Sequence, residues 1–242
     1  MPTSPALGKM QSAIQLAGFH YIACLKVRPS SADGELRMDG AHFTFTAISA
    51  ASDRDLHIEF QAWAAVTVLR DLVEAFSIFL METYRDAVSS NLNRTFAVTA
   101  EQFERRGIED QLSVLSSSFA IDPIWTSRLT GYNRARNCLA HRAGLVDQRD
   151  ATDDDQLVVR WLVPSAELTA GEPTPHVPVD GPFASLVRGE HISGGAARIA
   201  LKDREKRAVV GTKLSFKPDE ILEICSTFQL ASAAFDTIPA QR

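Results

Sequence analysis

Apolar side chains recur at alternating steps of four and three residues through the middle of the chain's first half. The series consists of Ala62, Val66, Leu69, Val73, Phe76 and Leu80. An α-helix turns once in about 3.6 residues, so these steps align the apolar positions along one face. Residues suited to capping a helix come just before the series: Ser52, Asp53 and Asp55. The pattern predicts a long helix with one buried face.

The chain before this helix combines a helical and a strand-like pattern. Residues Ala6 to Lys26 can form a helix, and Glu35 to Ile48 alternate in part between apolar and polar side chains, as a half-buried strand does. Pro29, Gly34 and Gly40 mark loops in this region. We therefore expect a helix followed by strands.

A capping pattern opens a second helical region. Thr99 is followed three positions later by Gln102, which matches a reciprocal capping box. Gly107 is expected to break or bend this helix because glycine is a poor helix former.

A further helix is predicted to begin at Asp122, which can cap it, with Pro123 at the first helical position. It should extend to about His141, where Gly144 provides a natural stop.

Strand-forming residues replace the helical patterns after Asp150. Leu157 to Val163 predicts a strand, and Ala197 to Leu201 with Ala208 to Phe216 predicts a hairpin around the charged turn Lys202 to Arg207. The predicted loop between them contains four prolines: Pro173, Pro175, Pro178 and Pro182.

A final helix is predicted from Pro218 to Pro239, with two acidic residues in its first turn. Its buried face should contain Ile221, Cys225, Phe228 and Phe235. The expected fold is mainly α, a helical bundle with a small appended β-hairpin or sheet. We divide it into an N-terminal region (1–51), a helical core (52–150), and a β-rich extension with a C-terminal helix that packs on the core (151–242).

Composition indicates a cytoplasmic protein. Cys24, Cys138 and Cys225 lie far apart and form no Cys-x-x-Cys pair, which favours a reducing compartment. No secretory signal is visible at the N-terminus. The longest apolar segment, Phe60 to Met81, contains three charged residues, which argues against a membrane span.

No metal-binding motif is complete. His57-Ile58-Glu59 matches the first half of a zinc deaminase signature, but the Pro-Cys-x-x-Cys half is absent. The run Asp153 to Asp155 lacks the glycine and glutamate of a calcium loop. We expect neither a metal nor another cofactor.

The net charge of −5, from 25 basic and 30 acidic residues, gives no overall attraction to nucleic acid. Positive charge is nevertheless concentrated between residues 128 and 149, where only Asp147 opposes five arginines: Arg128, Arg134, Arg136, Arg142 and Arg149. The segment is either a local nucleic-acid site or a solvated helix face.

The segment Tyr132 to Arg142 combines a fixed cation, a titratable imidazole and an amide within a few helical turns. Arg136 can present a planar donor fork to a phosphate, and His141 can transfer a proton near neutral pH. Asn137 lies four residues before His141, so its amide could orient the imidazole.

Arg136 and His141 are five residues apart, which places them roughly 140° apart around an ideal helix. One straight helix would not bring both to one phosphate. Either the helix deforms before His141, or a second copy of the chain completes the site.

The motif Arg136-Asn137-Cys138-Leu139-Ala140-His141 resembles the Arg-polar-x(3)-His form of the signature of HEPN domains, a family of helical ribonucleases. The resemblance is confined to about Tyr132 to Val146. It implies a helical bundle that dimerises to form a metal-independent endoribonuclease site. Arg136 and His141 would then be catalytic and Asn137 would support them.

The expected activity is RNA cleavage by 2′-hydroxyl attack, in a toxin or anti-phage setting, with an antitoxin or defence protein as a possible partner. Arg128, Arg134 and Arg142 are the expected RNA-binding residues. Two alternatives stay open: a non-catalytic HEPN-like module that binds a nucleotide or protein, and a purely structural helical protein.

Overall fold

Helices dominate the part of the chain that the computed structural model describes, which is residues 4–30, 35–38, 41–44, 52–91, 95–169, 178–180 and 196–240. The helices are α1 (Pro5–Lys26), α2 (Asp53–Ser90), α3 (Ala100–Glu104), α4 (Ile108–Ser118), α5 (Pro123–Arg142) and α6 (Pro218–Phe235), and a 3-10 turn follows at Ile238–Ala240. The strands are β1 (Glu35–Met38), β2 (Ala41–Thr44), β3 (Gln156–Thr169), β4 (Pro178–Asp180) and β5 (Ala196–Val209). The mainly α fold with a small antiparallel sheet is confirmed.

Helix α2 is the longest element and passes through the centre of the core. The Ser52 hydroxyl caps it by accepting a hydrogen bond from the Asp55 N–H (3.2 Å). Four of the six predicted face positions are buried: Leu69, Val73, Phe76 and Leu80. The prediction is wrong for Ala62, which is exposed because the buried positions of α2 begin only at Ala64.

Aromatic packing joins α2 to the C-terminal helix. The ring of Phe76 meets those of Phe228 and Phe235 at centroid distances of 5.5 and 5.6 Å. All four apolar positions predicted for the buried face of α6 are buried. The helix ends at Phe235, before Pro239, which lies in the 3-10 turn.

The capping signals in the sequence are used as predicted. The Gln102 N–H donates to the Thr99 hydroxyl (3.2 Å), and the Thr99 N–H donates to the Gln102 side chain (3.1 Å). Gly107 separates α3 from α4, and the Asp122 carboxylate caps α5 at the Ile124 N–H (2.9 Å).

The N-terminal region contains the predicted helix α1 and an antiparallel pairing of β1 with β2. The remainder of the predicted strand region, after Thr44, lies outside the described residues. None of the described helices is both long and apolar enough to cross a bilayer.

The C-terminal sheet corrects one prediction. Strand β5 pairs with β3 along its whole length, from Gln156↔Val209 to Thr169↔Ala196, so Lys202 to Arg207 lies within a strand and is not a turn. The chain turns after Val209 instead, where Gly211 adopts φ +88°. Pro178 begins β4, while the other three prolines of the predicted loop lie outside the described residues.

Charged residues are stable within β5 because neighbouring helices supply partners. Arg204 donates to Glu223 of α6 (2.8 Å), Lys206 pairs with Glu220 of α6, and Asp203 pairs with Arg128 of α5. These contacts were invisible to a local pattern, since the partners lie 14 to 75 residues away.

Candidate active site

Helix α5 carries every predicted site residue. It is continuous from Pro123 to Arg142 and ends with Ala143 in the left-handed conformation (φ 49°). No break in the helix occurs before His141, which gives no support to the first alternative, a deformed helix. Arg136 and His141 therefore point in different directions around α5 and line different hollows.

The Arg136 hollow, which we name for the arginine that lines it, lies between α2, α4 and α5. Its volume is about 710 Å³. Arg136 donates from Nη1 to the Asn137 side-chain oxygen (2.8 Å), and its Nη2 lies 3.9 Å from a Glu74 carboxylate oxygen. The Nε of Arg136 is buried and has no hydrogen-bond partner among the described residues. The guanidinium is thus oriented by an amide while retaining donor capacity.

The His141 hollow, named in the same way, is smaller, at about 350 Å³. His141 is exposed in the last turn of α5. Its ring makes no hydrogen bond within the described part of the chain. The expected bond between Asn137 and His141 is absent, and the Asn137 side-chain oxygen accepts from Arg136. Asn137 therefore positions the arginine and leaves the imidazole accessible.

The two hollows adjoin. Asn137 and Glu109 line both of them. The structure thus brings Arg136, Asn137 and His141 to one region of the surface.

Arg134 and Arg142, two of the expected RNA-binding residues, are held by carboxylates beside the His141 hollow. Arg134 contacts Glu109 through Nε and Nη2, each at 3.4 Å, and also donates to the Ala151 carbonyl. Arg142 donates from Nε to Asp150 (3.1 Å) and binds the same carboxylate through Nη2. The Asp150 side chain is only 3% exposed, so this pair lies at the base of the hollow.

Arg128, the third expected RNA-binding residue, is placed differently. Its side chain is 2% exposed, forms an ion pair with Asp203 and lies 5.6 Å from the centre of the Trp125 ring. The guanidinium is therefore almost fully buried between α5 and β5, whereas Arg134 and Arg142 are partly exposed.

The tertiary structure also corrects the predicted charge balance. The basic segment is opposed by carboxylates from outside it, so among the described residues four arginines and four acidic residues line the two hollows. The arginines are Arg134, Arg136, Arg142 and Arg149, and the acids are Glu74, Glu109, Asp110 and Asp150. The sequence pattern did not reveal these acids because all four lie outside the basic window, residues 128 to 149.

The segment after His141 is fixed by backbone hydrogen bonds to the turn that follows β5. The Val146 N–H donates to the Thr212 carbonyl (3.0 Å), and the Leu214 N–H donates to the Gly144 carbonyl (2.8 Å). Gly144 adopts φ +83°. The predicted stop at Gly144 thus also docks the end of α5 on the C-terminal region.

The thiol of Cys138, the cysteine in this region, is kept in its protonated form by burial. Cys138, on the inner face of α5, is buried, and this burial raises the pKa of its thiol to about 11. Among the described residues, no group of three or more His, Cys, Asp or Glu side chains is arranged to hold a metal ion.

Comparisons with protein-family models, curated proteins and solved structures found no significant match.

Proposed function

We propose that this chain is a HEPN-type endoribonuclease that cleaves RNA through Arg136 and His141. The observation that carries the proposal is the arrangement on α5, where Asn137 orients the Arg136 guanidinium (2.8 Å) beside the hollow that exposes His141. The resemblance of the Arg136 to His141 segment to the HEPN signature supplies the reaction class.

The proposed reaction uses the ribose 2′-hydroxyl as nucleophile. This hydroxyl is already tethered beside the phosphorus, so the protein has mainly to move protons and stabilise charge. His141 takes or gives the proton, and Arg136 holds the phosphate oxygens through its donor fork. The products are a 2′,3′-cyclic phosphate and a 5′-hydroxyl.

A second copy of the chain completes the proposed site. Arg136 and His141 point in directions roughly 140° apart on a straight helix, so a symmetric pair of α5 helices would bring Arg136 of one copy towards His141 of the other. By analogy with the family, we place the activity in a toxin or anti-phage setting, with an antitoxin or defence protein as a candidate partner.

The test is incubation of the purified chain with total RNA, in parallel with the His141→Ala variant. We expect cleavage by the first and not by the second. Cleavage should persist in EDTA and leave cyclic phosphate ends. A substrate with deoxyribose at the cleavage position keeps the phosphate but lacks the nucleophile, so cutting of that substrate contradicts the mechanism.

One observation favours a second candidate, a non-catalytic HEPN-like binding module. In the part of the chain that the structure describes, four arginines and four carboxylates line the two hollows, so these residues lack the excess positive charge of a strong RNA-binding surface. In that case the wild-type chain and His141→Ala would both bind their ligand, and neither would cut RNA.

A further inference from the structure

The Arg136 hollow is too large to serve only a phosphate. At about 710 Å³ it falls within the range of small-molecule sites and can accommodate a nucleoside. It opens beside Arg136, which holds the scissile phosphate in the proposed function. The nucleotide attached to the scissile phosphate would therefore lie next to this hollow.

The lining of the hollow combines apolar and acidic groups. Val73, Ile78 and Ile108 supply an apolar wall from α2 and α4, against which a flat ring can pack. Among the described residues, three carboxylates and one arginine line it, so the hollow disfavours a second phosphate. A neutral base with N–H donors fits both features.

Glu74 is the lining carboxylate that forms an ion pair with Arg136, so it stands beside the proposed phosphate and is placed to read that base. Its side chain is 58% exposed and lies 3.9 Å from the Arg136 guanidinium, and it makes no hydrogen bond within the described part of the chain. Glu109, by contrast, accepts from Asn133 (3.0 Å) and contacts Arg134, so its oxygens are already engaged.

The donor pattern selects among the four bases. A carboxylate accepts two parallel N–H groups, and guanine presents its N1–H and 2-amino group side by side. Adenine and cytosine place an acceptor nitrogen beside the amino group, which repels a carboxylate. Uracil offers a single N–H between two carbonyls.

We infer that the Arg136 hollow is a guanine-binding subsite, in which Glu74 accepts the two N–H donors of the base next to the cleaved phosphate. This inference rests on the proposed function for its role in cleavage. The binding of guanine itself can be measured without cleavage.

The first experiment compares short oligoribonucleotides that contain a single guanosine, inosine, adenosine or uridine at the same position. Inosine lacks only the 2-amino group, so it removes one of the two hydrogen bonds. We expect cutting next to guanosine to be roughly 10- to 100-fold faster than next to inosine, the usual effect of a hydrogen bond to a charged group. Equal rates for guanosine and inosine overturn the inference.

Two variants locate the subsite. Glu74→Gln keeps the side-chain shape but cannot accept both N–H donors of guanine. This variant should therefore cut next to guanosine and next to inosine at about equal rates. Gly107→Phe should obstruct the hollow, because Gly107 lines it at φ −68° and a Cβ there would meet no atom within 4 Å. Glu59→Gln, the same substitution at an exposed position of α2, is the matched control and should retain the preference.

The readout is the ratio of the cleavage rates next to guanosine and next to inosine. If Glu74→Gln also disturbed Arg136, both rates would fall together and their ratio would not change. Retention of this ratio in Glu74→Gln overturns the assignment. If the wild-type chain cuts no RNA at all, the proposed function fails, and calorimetry with 3′-GMP and 3′-IMP decides the subsite separately. Tighter binding of 3′-GMP that is lost in Glu74→Gln supports the inference, and equal binding of the two nucleotides refutes it.

Discussion

Arg136 and Asn137 are adjacent in sequence, and their side chains form one functional unit. The amide oxygen of Asn137 accepts from Arg136 Nη1 at 2.8 Å, which limits the rotation of the guanidinium. A planar fork held in this way can meet two phosphate oxygens at once. The chemistry assigned to Arg136 therefore depends on its shape as well as its charge.

Arg136→Lys should impair RNA cleavage nearly as much as Arg136→Ala. Lysine keeps the charge but offers no fork, and we expect both variants to lower kcat/KM by about 10²-fold or more. The control is Arg70→Lys, the same substitution at an exposed position of α2, which should leave kcat/KM unchanged. Near-wild-type cleavage by Arg136→Lys would show that only a point charge is needed.

The cysteines give a second prediction at this scale. Burial raises the pKa of the Cys225 thiol to about 12 and that of the Cys138 thiol to about 11, so both thiols stay protonated at pH 8. They should react slowly with alkylating reagents because the thiolate is the nucleophile. Half-buried Cys24 should be the main site of iodoacetamide labelling in the native protein, as read by mass spectrometry. Unfolding should expose all three, and rapid native labelling of Cys138 would contradict the buried packing of α5.

The end of α5 is the element on which the geometry of the site depends. His141 stands in its last turn, and the next residues dock on the turn after β5 through Gly144 and Val146. The position of the imidazole is thus coupled to the C-terminal sheet.

Gly144→Ala should be more destabilising than Gly211→Ala. Both glycines have positive φ, +83° and +88°, so each substitution incurs a backbone cost of about 1–2 kcal/mol. At Gly144 an added Cβ would also lie 2.7 Å from the Leu214 carbonyl oxygen, whereas at Gly211 it would meet no atom within 4 Å. We expect an additional cost of about 1–3 kcal/mol at Gly144, measured by urea unfolding. Equal costs would mean that the docking of α5 adapts freely.

At the scale of the whole molecule, α5 presents Arg136 and His141 to two adjoining hollows. Because α5 is one continuous helix, two side chains five residues apart point about 140° apart, and one copy does not direct both to a single phosphate. A symmetric dimer would bring the missing group from the second copy, and the activity of each chain would then depend on protein concentration.

Mixing two inactive variants tests this dimer. Arg136→Ala supplies an intact His141, and His141→Ala supplies an intact Arg136, so a mixed dimer contains one complete composite site. After equal mixing, half of the dimers are mixed and each has one of its two sites restored, which gives roughly a quarter of wild-type cleavage. Failure to recover activity, with mixed dimers verified by native mass spectrometry, would place each site within one chain.

The sequence alone determined the features that depend on neighbours along the chain. Helix starts at Ser52, Thr99 and Asp122 could be predicted because a cap is a local hydrogen bond between a side chain and the next turn. The buried faces of α2 and α6 were largely predictable from the helical period. The motif on α5 was visible for the same reason, since its residues lie within one helix.

Only the tertiary structure decided which partners meet across the chain. The charged run Lys202 to Arg207 predicted a turn from its sequence, but it lies within β5. Glu220, Glu223 and Arg128 from neighbouring helices form ion pairs with this run. The arginines of α5 predicted a local basic patch. In the structure, carboxylates from outside this segment lie beside them, and Arg128 is buried. Local pattern contains no information about such encounters, because they are set by how α2, α4 and the sheet pack around α5.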